Sequence, residues 1–412
     1  MSTFKRKSSS KSVGLLAATR ASPFSSSTIL TSSGIASLDD ILGGGLPLSC
    51  SLLVIAPDTH SSYGELVQKY FVSQGLASGQ KVCVIDSNPR QFVSECMWSS
   101  NGVLSPSVTT EVEDKEDGNE TTKVEIAWRY EHLKPFQTTV SASKFPADDF
   151  CRAFDLTYRV PRHFLDQAIQ SSQLVLLDAS GDWTRLIDLV AESLGTSQDA
   201  VPVRICIPLL GSPGWGDPHP KDVLQFVYSL RTLLRRCPHA CASVGLPPYM
   251  SADRWGGPGW LNKLSWLFDA SVTIAGFSVD PALSLRFPSY HGSFNIRALP
   301  APHSLLSASD KTSTLRGIAT VPGSSGENNI AFKCTRKRLV FETHHLDAEG
   351  GVGERRTGTA EGERAGSNSR GLAGLEVELE GERAMEAAAA AERIRTESLT
   401  KRKQVRFRGD LI

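Results

Sequence analysis

Short apolar runs alternate with longer segments of helical period from about residue 28 to residue 346. Leu52–Ala56, Val82–Asp86, Leu174–Asp178 and Val203–Leu210 are mostly apolar runs flanked by turn formers, which predicts strands buried on both faces. Helices are expected over Tyr63–Gly75, ending at its glycine, over Pro161–Gln173, opened by its proline, and over Leu186–Leu194. Asp222–Arg236 is the most amphipathic segment. Val223, Phe226, Val227, Leu230, Leu233 and Leu234 recur there at helical spacing, with Arg231, Arg235 and Arg236 elsewhere. Val124–Tyr130, Cys241–Leu246, Val272–Phe277, Phe294–Leu299, Asn329–Cys334 and Arg338–Glu342 read as further strands. Strands alternating with helices imply an α/β fold. Its sheet is mostly parallel and twisted, helices cover both faces, and the closing strands form an antiparallel end.

The flanks carry no such period. Residues 1–27 are rich in Ser, Lys and Arg, and disorder is expected there. This segment superficially resembles a transit peptide, and Lys5-Arg6-Lys7 has the form of a weak nuclear address. Within the core, Glu111–Glu120 places six acids around one lysine, so 101–122 reads as an exposed insertion. Residues 347–373 are expected to be a flexible linker and 374–412 a charged, partly helical tail, either solvated or a partner helix.

Composition narrows the picture. Lys+Arg and Asp+Glu both number 44 among 412 residues, so any nucleic-acid surface must be local. Eight scattered cysteines, several inside apolar runs, suit reduced, buried thiols and a cytoplasmic and nuclear location. The only tight pair, Cys237-Pro-His-Ala-Cys241, lacks two further zinc ligands. No apolar run approaches the roughly 18 residues of a membrane span.

The most informative stretch is Thr31-Ser-Ser-Gly-Ile-Ala-Ser-Leu-Asp-Asp-Ile-Leu-Gly-Gly-Gly-Leu-Pro47, followed by the strand ending at Ala56. Its Gly43-Gly-Gly45 precedes the strand, which favours a tight turn over a phosphate nest. After the strand, a nucleotide-binding core would carry G-x-x-x-x-G-K-[ST]. Here the segment is Pro57, Asp58, Thr59, His60, Ser61, Ser62 and Tyr63, with Ser62 and Tyr63 in the places of the lysine and the hydroxyl residue. No glycine frees the backbone to wrap a phosphate. Leu174–Asp178 has the form of a magnesium-orienting strand, but without a phosphate cradle Asp178 is better read as the end of a central strand. His344-His345 lacks a third ligand, and neither G-x-S-x-G nor H-E-x-x-H occurs.

Two further features are candidate contacts for RNA or a neighbouring subunit. Gly211-Ser-Pro-Gly-Trp-Gly-Asp217 follows a strand, and Trp215 either stacks on a base or packs back on its own domain. Lys333, Arg336, Lys337 and Arg338 form the densest basic cluster of the core, either a phosphate contact or a solvated edge.

Taken together, the glycine turn, the strand without a phosphate loop, Lys123–Tyr130, Phe150–Leu156, Arg204–Gly216 and Phe332–Leu346 resemble the PAXNEB family, the fourth subunits of Elongator. The resemblance runs from about residue 28 to residue 346. It implies a RecA-like fold with a degenerate Walker A loop, assembled with subunits 5 and 6 into a heterohexameric ring that joins the catalytic Elongator subcomplex and binds tRNA. That complex modifies the wobble uridine at C5, and acetyl-CoA and radical SAM chemistry belong to another subunit. A non-catalytic role is expected here, with no cofactor or metal in this subunit; if the ring hydrolyses ATP, the site is expected at its subunit interfaces. The alternatives are a RecA/KaiC-like ATPase with an atypical site, or a scaffold that binds only proteins.

Overall fold

The computed structural model of the chain describes residues 16–99, 150–179, 183–195, 201–316 and 329–344. All belong to a unit spanning residues 1–352. The expected strand at 124–130, the acidic insertion, the linker and the tail lie outside the described residues.

The chain opens with β1 (Thr19–Ala21), β2 (Ile29–Thr31), α1 (Ala36–Ile41), β3 (Leu46–Pro47), β4 (Ser51–Ile55) and α2 (Tyr63–Ala77). Next come β5 (Lys81–Asp86), α3 (Pro89–Ser94), β6 (Met97–Trp98), β7 (Asp155–Arg159), α4 (Arg162–Gln170), β8 (Leu174–Asp178) and α5 (Trp183–Leu194). They are followed by β9 (Val203–Ile207), α6 (Pro220–Arg236), β10 (Ala240–Leu246), α7 (Asp253–Gly256), α8 (Trp260–Leu267) and β11 (Ala270–Gly276). Finally, α9 (Pro281–Arg286), β12 (Gly292–Ala298), α10 (Ser309–Thr312), β13 (Ile330–Cys334) and β14 (Leu339–Thr343) complete the described chain.

Nine strands form the central sheet in the order β14-β13-β12-β11-β4-β10-β9-β5-β8. The six from β11 to β8 are parallel, and β12, β13 and β14 extend the sheet antiparallel. Side chains alternate across it. Leu52 and Val54 face a core built with α1–α4, while Leu53 and Ile55 face one built with α5, α6 and α8. The mostly parallel α/β sheet expected from the apolar runs is therefore present.

Three expectations need correction. Residues 16–27 are ordered: β1 pairs with β2, and Arg20 donates to the Gly44 carbonyl at 2.7 Å. A long-range contact fixes a segment whose composition alone signals disorder. Second, α2 does not end at Gly75 but runs to Ala77. A Cβ at Gly75 would lie 2.7 Å from both Arg204 Cδ and Val82 Cγ2, so this glycine serves close packing against the sheet. Third, β8 is an edge strand, not a central one. Gly43, Gly44 and Gly45 all have positive φ in the turn before β3, where L side chains are strained.

Candidate functional site

β4 ends at Ile55 and α2 begins at Tyr63, so the segment where a phosphate loop would sit spans the carboxyl edge of the sheet. A Cβ on Gly64 would come within 2.6 Å of the Ala56 Cβ, so the helix starts hard against the strand end. Pro57, Thr59, His60 and Ser62 are exposed, and Asp58 is buried. Its Oδ2 accepts the Gly276 N–H at the end of β11 and the Ser61 hydroxyl at 3.1 Å. The loop thus supplies its own anion.

Tyr63 packs edge-on against Phe332, with centroids 4.6 Å apart, and burial pushes its phenol up. Ser62 gives α2 no side-chain cap. Lys69, the lysine of α2, is held by Glu65 at 2.9 Å and Glu95 at 2.8 Å. A nucleotide phosphate here would meet carboxylates and find no lysine in the loop. This donor set does not fit a magnesium nucleotide.

Asp178 does not complete such a site. Four strand steps separate β8 from β4, about 19 Å at ~4.8 Å per step. In register beside it stands Asp86, whose carboxyl is raised by burial and by the charges of Glu65 and Asp178. Among the described residues, no group of three His, Cys, Asp or Glu is placed to hold a metal ion.

Trp215 ends a short turn after β9 and is 3% exposed. Its ring packs at 5.1 Å from Trp183 and 5.9 Å from Phe226. Of the two roles open to it, packing on its own domain is the one the structure adopts. As a base-stacking platform within this chain it is corrected: no free ring face is offered. Gly214, beside it, would place a Cβ 2.2 Å from the Ser87 Cβ, so the turn sits tight on the β5–α3 connection.

The basic cluster forms the tip of the β13–β14 hairpin. Thr335 N–H donates to the Arg338 carbonyl at 2.9 Å, which closes the turn and leaves Arg336, Lys337 and Arg338 exposed. Lys333 drops out of the cluster because it pairs with Glu342 at 2.8 Å across the hairpin. Leu156 N–H donates to the Lys337 carbonyl at 2.9 Å, tying the tip to β7. Asp155 joins this surface. Hydrogen bonds from Thr157, and then the charges of Lys337 and Arg336, hold its carboxyl below the usual range.

Since β13 is antiparallel to β12 and β12 to β11, β13 runs in the direction of β4, and the hairpin tip emerges at the same edge as the 57–63 loop. Beside the tip, a cavity of about 260 Å³ is lined by Tyr63, Leu66, Met97 and Leu156, with Lys69 and Arg159 among its walls. Arg159 had no signal in sequence, because only the β6–β7 pairing brings it beside α2. His344, read as a strand end, lies between Phe287 and Tyr290, at 5.3 and 6.0 Å.

Known proteins share this sequence over most of its length. The family described as PAXNEB protein matches residues 14–376, wider at both ends than the motifs alone delimit. A Dictyostelium discoideum protein named Elongator complex protein 4 is 28% identical over 78% of this chain and 76% of its own length. Proteins of the same name from Xenopus laevis and Homo sapiens are each 25% identical over 77% of this chain, covering 80% and 77% of their own lengths. With a family match over most of its length and a RecA-like α/β core, the chain belongs to the PAXNEB family.

Proposed function

We propose that this chain is an Elongator subunit that acts by assembly and RNA contact, not by catalysis. The observation that carries this reading is Asp58, whose carboxylate takes up the Gly276 N–H and the Ser61 hydroxyl in the loop that would otherwise meet a phosphate. A nucleotide-gripping loop needs free amides and a lysine; here a buried acid stands in the segment. The subunit joins its related partners, subunits 5 and 6, in a heterohexameric ring, cytoplasmic and nuclear, which serves wobble-uridine modification by the catalytic subcomplex. Ring subunits that pack head to tail need two different faces, and an open-edged sheet with different layers on its two sides is compatible with that. The hairpin tip at Arg336, Lys337 and Arg338 is the surface for tRNA phosphates, read through charge and shape.

The test uses the assembled complex purified through the full chain. Charge reversal at Arg336, Lys337 and Arg338 is expected to leave the subunit composition unchanged. It should weaken tRNA binding and lower the salt slope by about one per lost phosphate contact. Unchanged affinity and slope would favour the purely protein-binding scaffold. Micromolar, magnesium-dependent ATP binding by the isolated chain would favour the ATPase.

A further inference from the structure

The two most exposed aromatic rings among the described residues stand away from that edge. Trp266 on α8 is 77% exposed and Tyr228 on α6 is 62% exposed. Helical geometry explains Trp266: Trp260 and Leu264 fill the core from the opposite side of α8, both 0% exposed. Arg231, three residues after Tyr228, donates to the Trp266 carbonyl at 3.0 Å and so links the two helices beside both rings. Arg231 also lies 3.6 Å from Asp269, and Arg235 pairs with the same carboxylate. Asp269 is anchored in turn, accepting the Ser51 N–H at 2.9 Å and the Ser51 hydroxyl at 3.1 Å. Ser51 begins β4, so this surface lies at the amino edge of the sheet, a strand length of about 16 Å from the loop and hairpin.

We propose that the Tyr228–Trp266 surface docks a protein partner that offers an apolar cleft for Trp266 and carboxylates around it. Two observations select this occupant. Tryptophan, tyrosine and arginine together have the composition of binding hot spots, and the arginines are already oriented by Asp269. Arg231 and Arg235 share one largely buried acid, and the exposed Lys263 lies three residues before Trp266 on α8, so the surface is cationic and complements an acidic rim. The same excess disfavours a second copy of this chain in a symmetric pair, where like charges would meet. RNA is the competing anionic occupant, and ribonuclease treatment separates the two.

The experiment compares wild type with Tyr228→Ala/Trp266→Ala in the native complex. Both rings are exposed, so the variant chain should keep its melting temperature. It is expected to lose one other protein component, or to hold it at least about 30-fold more weakly. A carbodiimide should couple Lys263 of the wild type to an Asp or Glu of that same component. Lys263→Glu, which leaves both rings intact, should weaken the interaction by charge alone. Retention of every component at unchanged affinity would overturn the proposal. So would coupling of Lys263 to a second copy of this chain, or release of the component by ribonuclease.

Discussion

Arg204 donates from Nη2 to the Thr31 hydroxyl at 2.7 Å, joining residues 173 positions apart. The guanidinium is fully buried on β9 under α2, 4.8 Å from the Phe71 ring centroid. Its Nε donates to Gln80 Oε1 at 2.5 Å and its Nη1 to the Ser32 carbonyl at 2.8 Å. One cation thereby pins the segment before α1 to an inner strand of the sheet. Arg204→Met keeps much of the volume but leaves these acceptors short of a donor. It should cost about 3 kcal/mol, at ~1–3 kcal/mol per buried group left unsatisfied, read as a lower urea midpoint.

Asp58 ties the loop after β4 to β11. Asp58→Ala removes a charged acceptor and should cost about 1.5–3 kcal/mol, with faster hydrogen exchange at Gly276. Asp58→Asn keeps a carbonyl acceptor and should cost less. Neither substitution is expected to confer ATP binding, because no lysine enters the loop; a calorimetric titration checks this.

Trp215 tests the division between core and surface. Trp215→Ala should cost about 3–5 kcal/mol in thermal or chemical unfolding, because it opens the cluster with Trp183 and Phe226. The milder Trp215→Phe should leave the tRNA affinity of the assembled complex unchanged. A selective loss of RNA binding in that variant would return the ring to the RNA surface.

Asp86 sets a pH dependence. Burial raises its carboxyl above the ordinary value, with Glu65 and Asp178 adding to the shift. A raised folded-state value means that its contribution is most favourable below the ordinary carboxylate range and is lost as pH rises through the folded value. Asp86→Asn should therefore stabilise the protein at neutral pH. That gain should vanish as pH falls toward 4, about the ordinary Asp value, as measured by denaturation at a series of pH values.

The strands and long helices of the core are legible in the sequence, because runs such as Leu52–Ala56 and the stripe on Asp222–Arg236 carry their period locally. So is the lack of the glycines and lysine of a phosphate loop from Pro57 to Tyr63, since that is a matter of residue identity. Sheet order was not legible. Leu174–Asp178 reads as a central strand from its apolarity, yet only pairing across the chain places it at the edge. Arg204 and Gly75 were equally opaque: a charged residue in a strand and a glycine in a helix gain meaning only where the two meet. Long-range packing assigns the roles of several similar groups. It buried Trp215, exposed Trp266, neutralised Lys333 with Glu342 and gave Asp58 the Gly276 amide. Secondary structure follows local periodicity, whereas burial and hydrogen-bond satisfaction depend on partners up to hundreds of residues away.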